Sequence, residues 1–189
     1  MVTVRNKDLV RFADDVAAAA GLREAAAIAV DFVVGQLDAA HVGLAWHPRR
    51  SAPRRLAASS RELLLLDEVT HRHGSGFARD PLADGVSTVV PDTRLDQHHR
   101  AWSRVAAQLG VRSAWAVGLP PFGDAALTLT LLSPEPDTYV AIEPRLVTSG
   151  RAVGQIFAAH HRRLLAGTGT LVRARTGPRS VDVVRTHRC

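Results

Sequence analysis

The chain has 189 residues, enough for one domain with a sizeable core and a tail, and a formal charge of +6 from 24 basic and 18 acidic side chains. Five arginines against one aspartate lie in residues 166–189, so the remaining body is nearly balanced, with arginines interspersed among carboxylates, which argues against a phosphate-binding face there. The single cysteine, Cys189, excludes an intramolecular disulfide and any cysteine nucleophile or cluster in the body; with no apolar run of about 18 residues and no signal core, the expected setting is the cytoplasm, away from membranes.

In chain order, Leu9, Phe12, Ala13, Val16 and Ala20 share one stripe over residues 7–20 and predict an amphipathic helix with a left-handed stop at Gly21. A second helix is predicted from about Arg23 to Leu37, its alanines allowing close approach to a sheet. Val42, Leu44 and Trp46 alternate with His41, Gly43, Ala45 and His47 as a first strand, and HPRRSAP is the loop to a second at Arg54–Ser59. Ser59, three residues before Glu62, matches a capping box that opens a Leu-rich helix to Val69. Residues 71–85 follow no period, and their length suits a pocket wall or lid.

Residues 86–133 are the most legible stretch. Val86–Val90 is a third strand, and Ala101, Trp102, Val105 and Leu109 then form a helical stripe, with Asp96 placed as its cap and Gly110 as a left-handed stop. Val111, Ser113, Trp115, Val117 and Leu119 alternate as a fourth strand, Pro120–Asp124 is a turn, and Leu127, Leu129 and Leu131 alternate as a fifth, so the last two form an antiparallel hairpin. A final helix begins near Glu143. Along it Leu146, Gly150, Val153, Phe157, His160 and Leu164 recur at steps of four and three, a seam that either joins a dimeric bundle with the N-terminal helix or covers the chain's own sheet. The tail, residues 166–189, has Gly/Thr/Pro punctuation and no helical stripe, and is expected to be flexible or extended.

Motifs for chemistry are sparse. Gly74-Ser75-Gly76 lacks the third glycine of a dinucleotide fingerprint and no Gly-Lys-Ser/Thr follows it; no Gly-x-Ser-x-Gly elbow occurs, so no enzyme activity is assigned. Histidines pair at 71/73, 98/99 and 160/161; neighbours on a helix point about a quarter-turn or more apart, which sets aside the two adjacent pairs, while His71-x-His73 would chelate if extended but also suits a solvated loop, and no metal set is assigned. Asp92-Thr93-Arg94-Leu95-Asp96 joins a strand end to a helix start, where backbone N–H groups favour anions; a cap at Asp96 and an ion pair to Arg94 account for the same residues without a ligand.

V-x-D-x-x-x-D, a helix carrying a tryptophan, GVRS at residues 110–113, a strand ending in Leu119-Pro120 and a glycine-turn strand together resemble the second half of a GAF domain, of the actinobacterial kind usually joined to an RNA-binding ANTAR domain. The resemblance covers about residues 8–165. It implies an α+β fold with a central antiparallel sheet of five or six strands, terminal helices on one face, and pocket-forming loops and short helices on the other. It also implies a GAF-like domain over residues 1–165 and a basic tail over 166–189 that is too short for an ANTAR domain.

The implied role is a non-enzymatic sensory or regulatory module that binds a small ligand of unknown identity and forms a homodimer through its terminal helices. The alternative is a ligand-free structural dimerisation or partner-binding domain. Nucleic acid would be bound only through the tail. Phe77, Trp102 and Trp115 belong to segments that enclose the family's pocket, where they would stack on a planar ligand or simply fill the core. With the polar cluster and the GVRS motif, the candidate ligand contacts are Phe77, Asp92, Arg94, Trp102, Ser113 and Trp115. Phe77 and Ala78 stand where related sequences carry proline and cysteine, which argues against the sulfoxide reductases built on this fold and against bilin attachment.

Overall fold

The computed structural model describes residues 5–37, 39–48, 53–73, 77–80, 82, 87–122 and 125–175. Its strands, β1 (His41–Pro48), β2 (Arg54–Ala58), β3 (Ser87–Val90), β4 (Ser113–Phe122) and β5 (Ala125–Ser133), form one antiparallel sheet in the order β2-β1-β5-β4-β3. Around it lie α1 (Asn6–Ala18), α2 (Leu22–Leu37), α3 (Arg61–His73), α4 (Arg100–Gln108) and α5 (Glu143–Arg175), with a 3-10 turn at Phe77–Arg79. Among the described residues, no helix is long and apolar enough to cross a membrane.

Register assigns the two faces of this α+β sheet. Trp115 pairs with Leu131 and Val117 with Leu129, while Leu44 pairs with Leu129 across the next ladder. Because side chains alternate, Val42 and Leu44 of β1 join Trp115, Val117, Leu127, Leu129 and Leu131 on one face. The helices α1, α2 and α5 cover it. Ala25, Ala26 and Ala29 bring α2 close to the sheet, and Phe12 of α1 stacks on Phe32 at 4.4 Å. The opposite face presents Ala114, Ala116 and Leu132 to Leu63 and Leu66 of α3, Phe77, and Trp102 and Ala106 of α4.

The seam on α5 is spent on this sheet. Leu146, Val153, Phe157 and His160 are buried, and a Cβ at Gly150 would stand 3.0 Å from Val117 Cγ1 and 3.4 Å from Trp115 Cη2. Of the two uses open to that seam, the structure shows intramolecular cover. The helix also continues to Arg175, ten residues into the segment expected to be non-helical. Once a packed stretch is helical, each further residue adds a hydrogen bond without new nucleation, and Gly167 and Gly169 cost only about 1 kcal/mol each. Residues 176–189 lie outside the described residues, as do Gly74-Ser75-Gly76, 49–52 of the first hairpin loop and 123–124 of the second.

Three local expectations change. The first helix ends at Ala18 with Ala19 extended (ψ 135°), and Gly21 has no positive φ; its carbonyl accepts from Ala25 N–H and opens α2, while Glu24 accepts from Ala20 N–H. Ser59 does not cap α3, because its hydroxyl accepts from Val42 N–H at 2.8 Å and ties β2 to β1. Asp96 precedes α4 by four residues and holds the turn rather than the cap. Gly110 does stop α4 left-handed, at φ 83°, with Val111 N–H bonded to Ala106 O and Gly110 N–H to Ala107 O, the paired bonds of a Schellman ending.

Candidate functional site

The face opposite the terminal helices is floored by small side chains, since Gly43 and Ala45 of β1 and Ala114 and Ala116 of β4 alternate with the large residues of the other face. At the β1–β2 end of that face, β1, β2 and α3 border a cavity of about 290 Å³. Ala45, His47, Arg55, Leu64, Asp67 and Ala78 are among its walls. This is at the small end of the range for ligand sites.

Its polar groups converge. His47 Nε2 lies 2.8 Å from Thr128 Oγ1, and Arg55 donates from Nε to Asp67 Oδ2 at 2.8 Å and from Nη2 to Oδ1. The Arg55 side chain is only 8% exposed, yet its Nη1 is buried without a hydrogen-bond partner, and Thr130 Oγ1 on the same sheet face is also unpartnered. A buried guanidinium N–H left unmatched costs free energy, and this one lies over Gly43, which is not among the cavity's lining residues. Glycine at 43 makes room for this arrangement, because a Cβ there would collide with Arg55 Nη1.

The residues singled out from sequence do not gather at this cavity. Phe77 and Trp102 pack on each other at 4.9 Å inside the second core, fully or almost fully buried. Trp115 is on the opposite face, against α5, and cannot share a ligand with them. Ser113 is buried and donates its hydroxyl to Glu135 O at 2.7 Å, fastening the start of β4 to the loop after β5. Asp92 pairs with Arg112 and not with Arg94, which is exposed in an open groove with Arg100 and Arg104.

Of the two uses open to this turn, the internal contacts are of the ligand-free kind. Asp92 accepts from Arg94 N–H at 3.0 Å, and Asp96 accepts from His98 and His99 N–H at 3.1 and 3.0 Å and from the Ser103 hydroxyl. These carboxylates take backbone N–H groups of the turn. Hydrogen bonds from Arg112, then from Arg94 N–H, hold the Asp92 carboxyl below its ordinary range. Burial alone pushes Asp96 up, but Ser103, the two N–H groups and His99 together leave it lowered.

A depressed folded pKa stabilises the fold fully above the unfolded carboxyl's value, about 3.9 for aspartate, and that contribution is lost as pH falls through the folded value. Asp92→Asn is therefore expected to lower the urea midpoint at pH 7, and the gap from the parent should close as pH drops below about 4. Paired urea titrations across that window check it; a gap independent of pH would mean that packing, not the Arg112 pair, sets the effect.

Sequence reasoning missed His47, Arg55 and Asp67. Nothing local marks them, because Arg55 and Asp67 come from different elements and meet only when α3 docks on β2. It also set aside His98 and His99 on the premise that they are helical. The helix begins at Arg100, and in the bent segment before it the two rings stand 4.6 Å apart and nearly perpendicular.

No protein-family model and no curated protein matches the sequence. Solved structures do match in three dimensions. An N-acylhomoserine-lactone-dependent LuxR-family transcription factor from Burkholderia cenocepacia is 16% identical, with 85% of this chain and 97% of that one covered and a TM-score of 0.61. The free methionine-R-sulfoxide reductase of Neisseria meningitidis, in complex with its substrate, is 15% identical over 86% and 94% of the two chains, TM-score 0.57. The GAF domain of a sensor histidine kinase from Pseudomonas syringae pv. tomato is 13% identical over 88% and 91%, TM-score 0.57. At these identities what is shared is the fold.

Proposed function

We propose, for a chain whose fold is that of a GAF domain, a non-enzymatic sensory or regulatory role in the cytoplasm, with a small polar ligand held in the cavity between β1, β2 and α3. The observation that carries this reading is the cavity walled by His47 and by the Arg55–Asp67 ion pair, charged and hydrogen-bonding groups that suit a polar ligand. Two of the structural neighbours are, by their names, a lactone-dependent regulator and an enzyme holding its substrate. Thiol chemistry of a reductase kind is not part of this reading, because the one cysteine is Cys189.

The cavity and the terminal helices lie on opposite faces of the same strands. β1 carries Ala45 and His47 toward the cavity and Val42 and Leu44 toward α2, so a ligand that prefers one position of β1 also prefers one packing of the helices. The homodimer in this reading forms through α1, α2 and α5 by surfaces other than the buried seam. Val10 on α1 is 62% exposed, Leu165 on α5 is 55% exposed, and an open groove of about 550 Å³ runs between α1 and α2. A ligand-free structural domain is the second reading, favoured by Phe77 and Trp102 filling the other end of the pocket face.

Native and denaturing mass spectrometry of freshly purified protein tests both parts. The expected result is a dimer with an extra mass that is released on denaturation. A dimer of bare chain mass selects the structural reading, and a bare monomer removes the dimer from it.

A further inference from the structure

Three donor side chains converge outside the cavity. Asp80 follows the 3-10 turn, and His98 and His99 precede α4; one ligand atom from each lies within 4.8 Å of the others. Both imidazoles address the same carboxylate oxygen, His99 Nε2 at 2.7 Å and His98 Nε2 at 3.6 Å from Asp80 Oδ2. An Asp80–His99 hydrogen bond explains the first contact; the second, at 3.6 Å, is too long for a hydrogen bond, and the 80% exposed ring of His98 is held toward Asp80 by its edge-on packing against His99.

The inner ligand, His99, is buried with a carboxylate facing its second ring nitrogen. The His99 side chain is 8% exposed, Phe77 meets its ring edge-on at 5.9 Å, and its buried Nδ1 makes no hydrogen bond but faces Asp96 Oδ2 at 3.5 Å. Asp96 is itself fixed by Ser103 and by the N–H groups of His98 and His99. A carboxylate hydrogen-bonded to one ring nitrogen fixes the tautomer that leaves the other nitrogen to coordinate, and Asp96 Oδ2 would come within that distance of Nδ1 by closing about 0.3–0.5 Å.

We propose that Asp80, His98 and His99 bind a divalent transition-metal ion of the zinc class, with solvent completing its coordination. Two imidazoles and a carboxylate suit Zn²⁺, and ligands about 2.0–2.1 Å from a tetrahedral ion stand about 3.3 Å apart. The two distances to Asp80, 2.7 and 3.6 Å, reach that spacing through shifts of under about 1 Å, and the His98 and His99 nitrogens, within 4.8 Å of each other, close by at most about 1.5 Å through the exposed His98 side chain. Bound metal would clamp the 77–80 segment to the start of α4, and Ala78 of that segment borders the cavity. The site does not depend on the cavity holding a ligand.

The test titrates zinc chloride into the untagged full chain, stripped with EDTA and carrying Cys189→Ser to remove its thiol, by isothermal titration calorimetry. His98→Ala and Asp80→Asn are titrated in the same background; one removes an exposed ring and the other keeps the side chain's shape, and both are expected to match the parent's circular dichroism. One equivalent is expected to bind to the parent and to raise its thermal midpoint, with affinity at least tenfold weaker in each variant. His71→Ala, at the exposed end of α3, is expected to bind as the parent does. No saturable one-to-one binding, variants that bind as tightly as the parent, or an equal loss in His71→Ala would each overturn the site.

Discussion

Replacing Trp115 by alanine is expected to cost about 3–5 kcal/mol of stability, a large share of the roughly 5–15 kcal/mol that holds a domain of this size folded. The ring has no exposed surface, pairs through its strand with Leu131, and lies under α5 where Gly150 lets the helix backbone approach. Truncation removes its burial and leaves a void that the helix closes only by leaving its contacts with Val117 and Leu129. Its Nε1 has no hydrogen-bond partner, so Trp115→Phe forfeits volume alone and should cost much less. Urea unfolding of the two variants checks this. A loss below about 1 kcal/mol in Trp115→Ala would mean that the residue stands in an open pocket and not in the core.

Phe77→Ala is expected to cost a similar 3–5 kcal/mol, from the other core. Phe77 is fully buried between Trp102 and His99, and it is the apolar anchor of the short segment that ends in Asp80. Its loss should also be local in a way that Trp115→Ala is not. Amide exchange is expected to quicken first in α4 and residues 77–80, while α5 stays protected until global unfolding. Phe77→Leu should recover most of the stability by refilling the volume. Uniform acceleration across both faces, or a cost under about 1 kcal/mol, would contradict the anchoring role.

Much of the fold was legible because its signals are local. The period of two over residues 113–119 and 127–131 follows from the pleat, the positive φ of Gly110 from its lack of a Cβ, and the stripe on α4 from helical geometry. The misreadings have two causes. Gly21 opens α2 through a local bond from Ala25 N–H to its carbonyl instead of stopping α1, whereas Ser59 and Asp96 are each compatible with a cap but are also reachable from elsewhere in the chain. Ser59 was claimed by Val42 and Asp96 by Ser103, contacts that no spacing rule contains.

The candidate site was the least legible part. Alternation states that Trp115 shares a face with Val117 and Leu119, and the sequence by itself determined that much, along with the strand and helix types, the neutral body and the absence of a cysteine from it. Which layer that face meets depends on how the connections wrap, and tertiary structure alone decided that it is α5, leaving the alanines and glycine of the other face to floor the cavity. It also decided that Arg55 meets Asp67 and that Asp80 meets His98 and His99. Those side chains are brought together by the docking of α3, of the 77–80 segment and of α4 on one sheet face, and the apolar contacts that drive this docking are long-range and non-directional, so they leave no periodic trace in the chain.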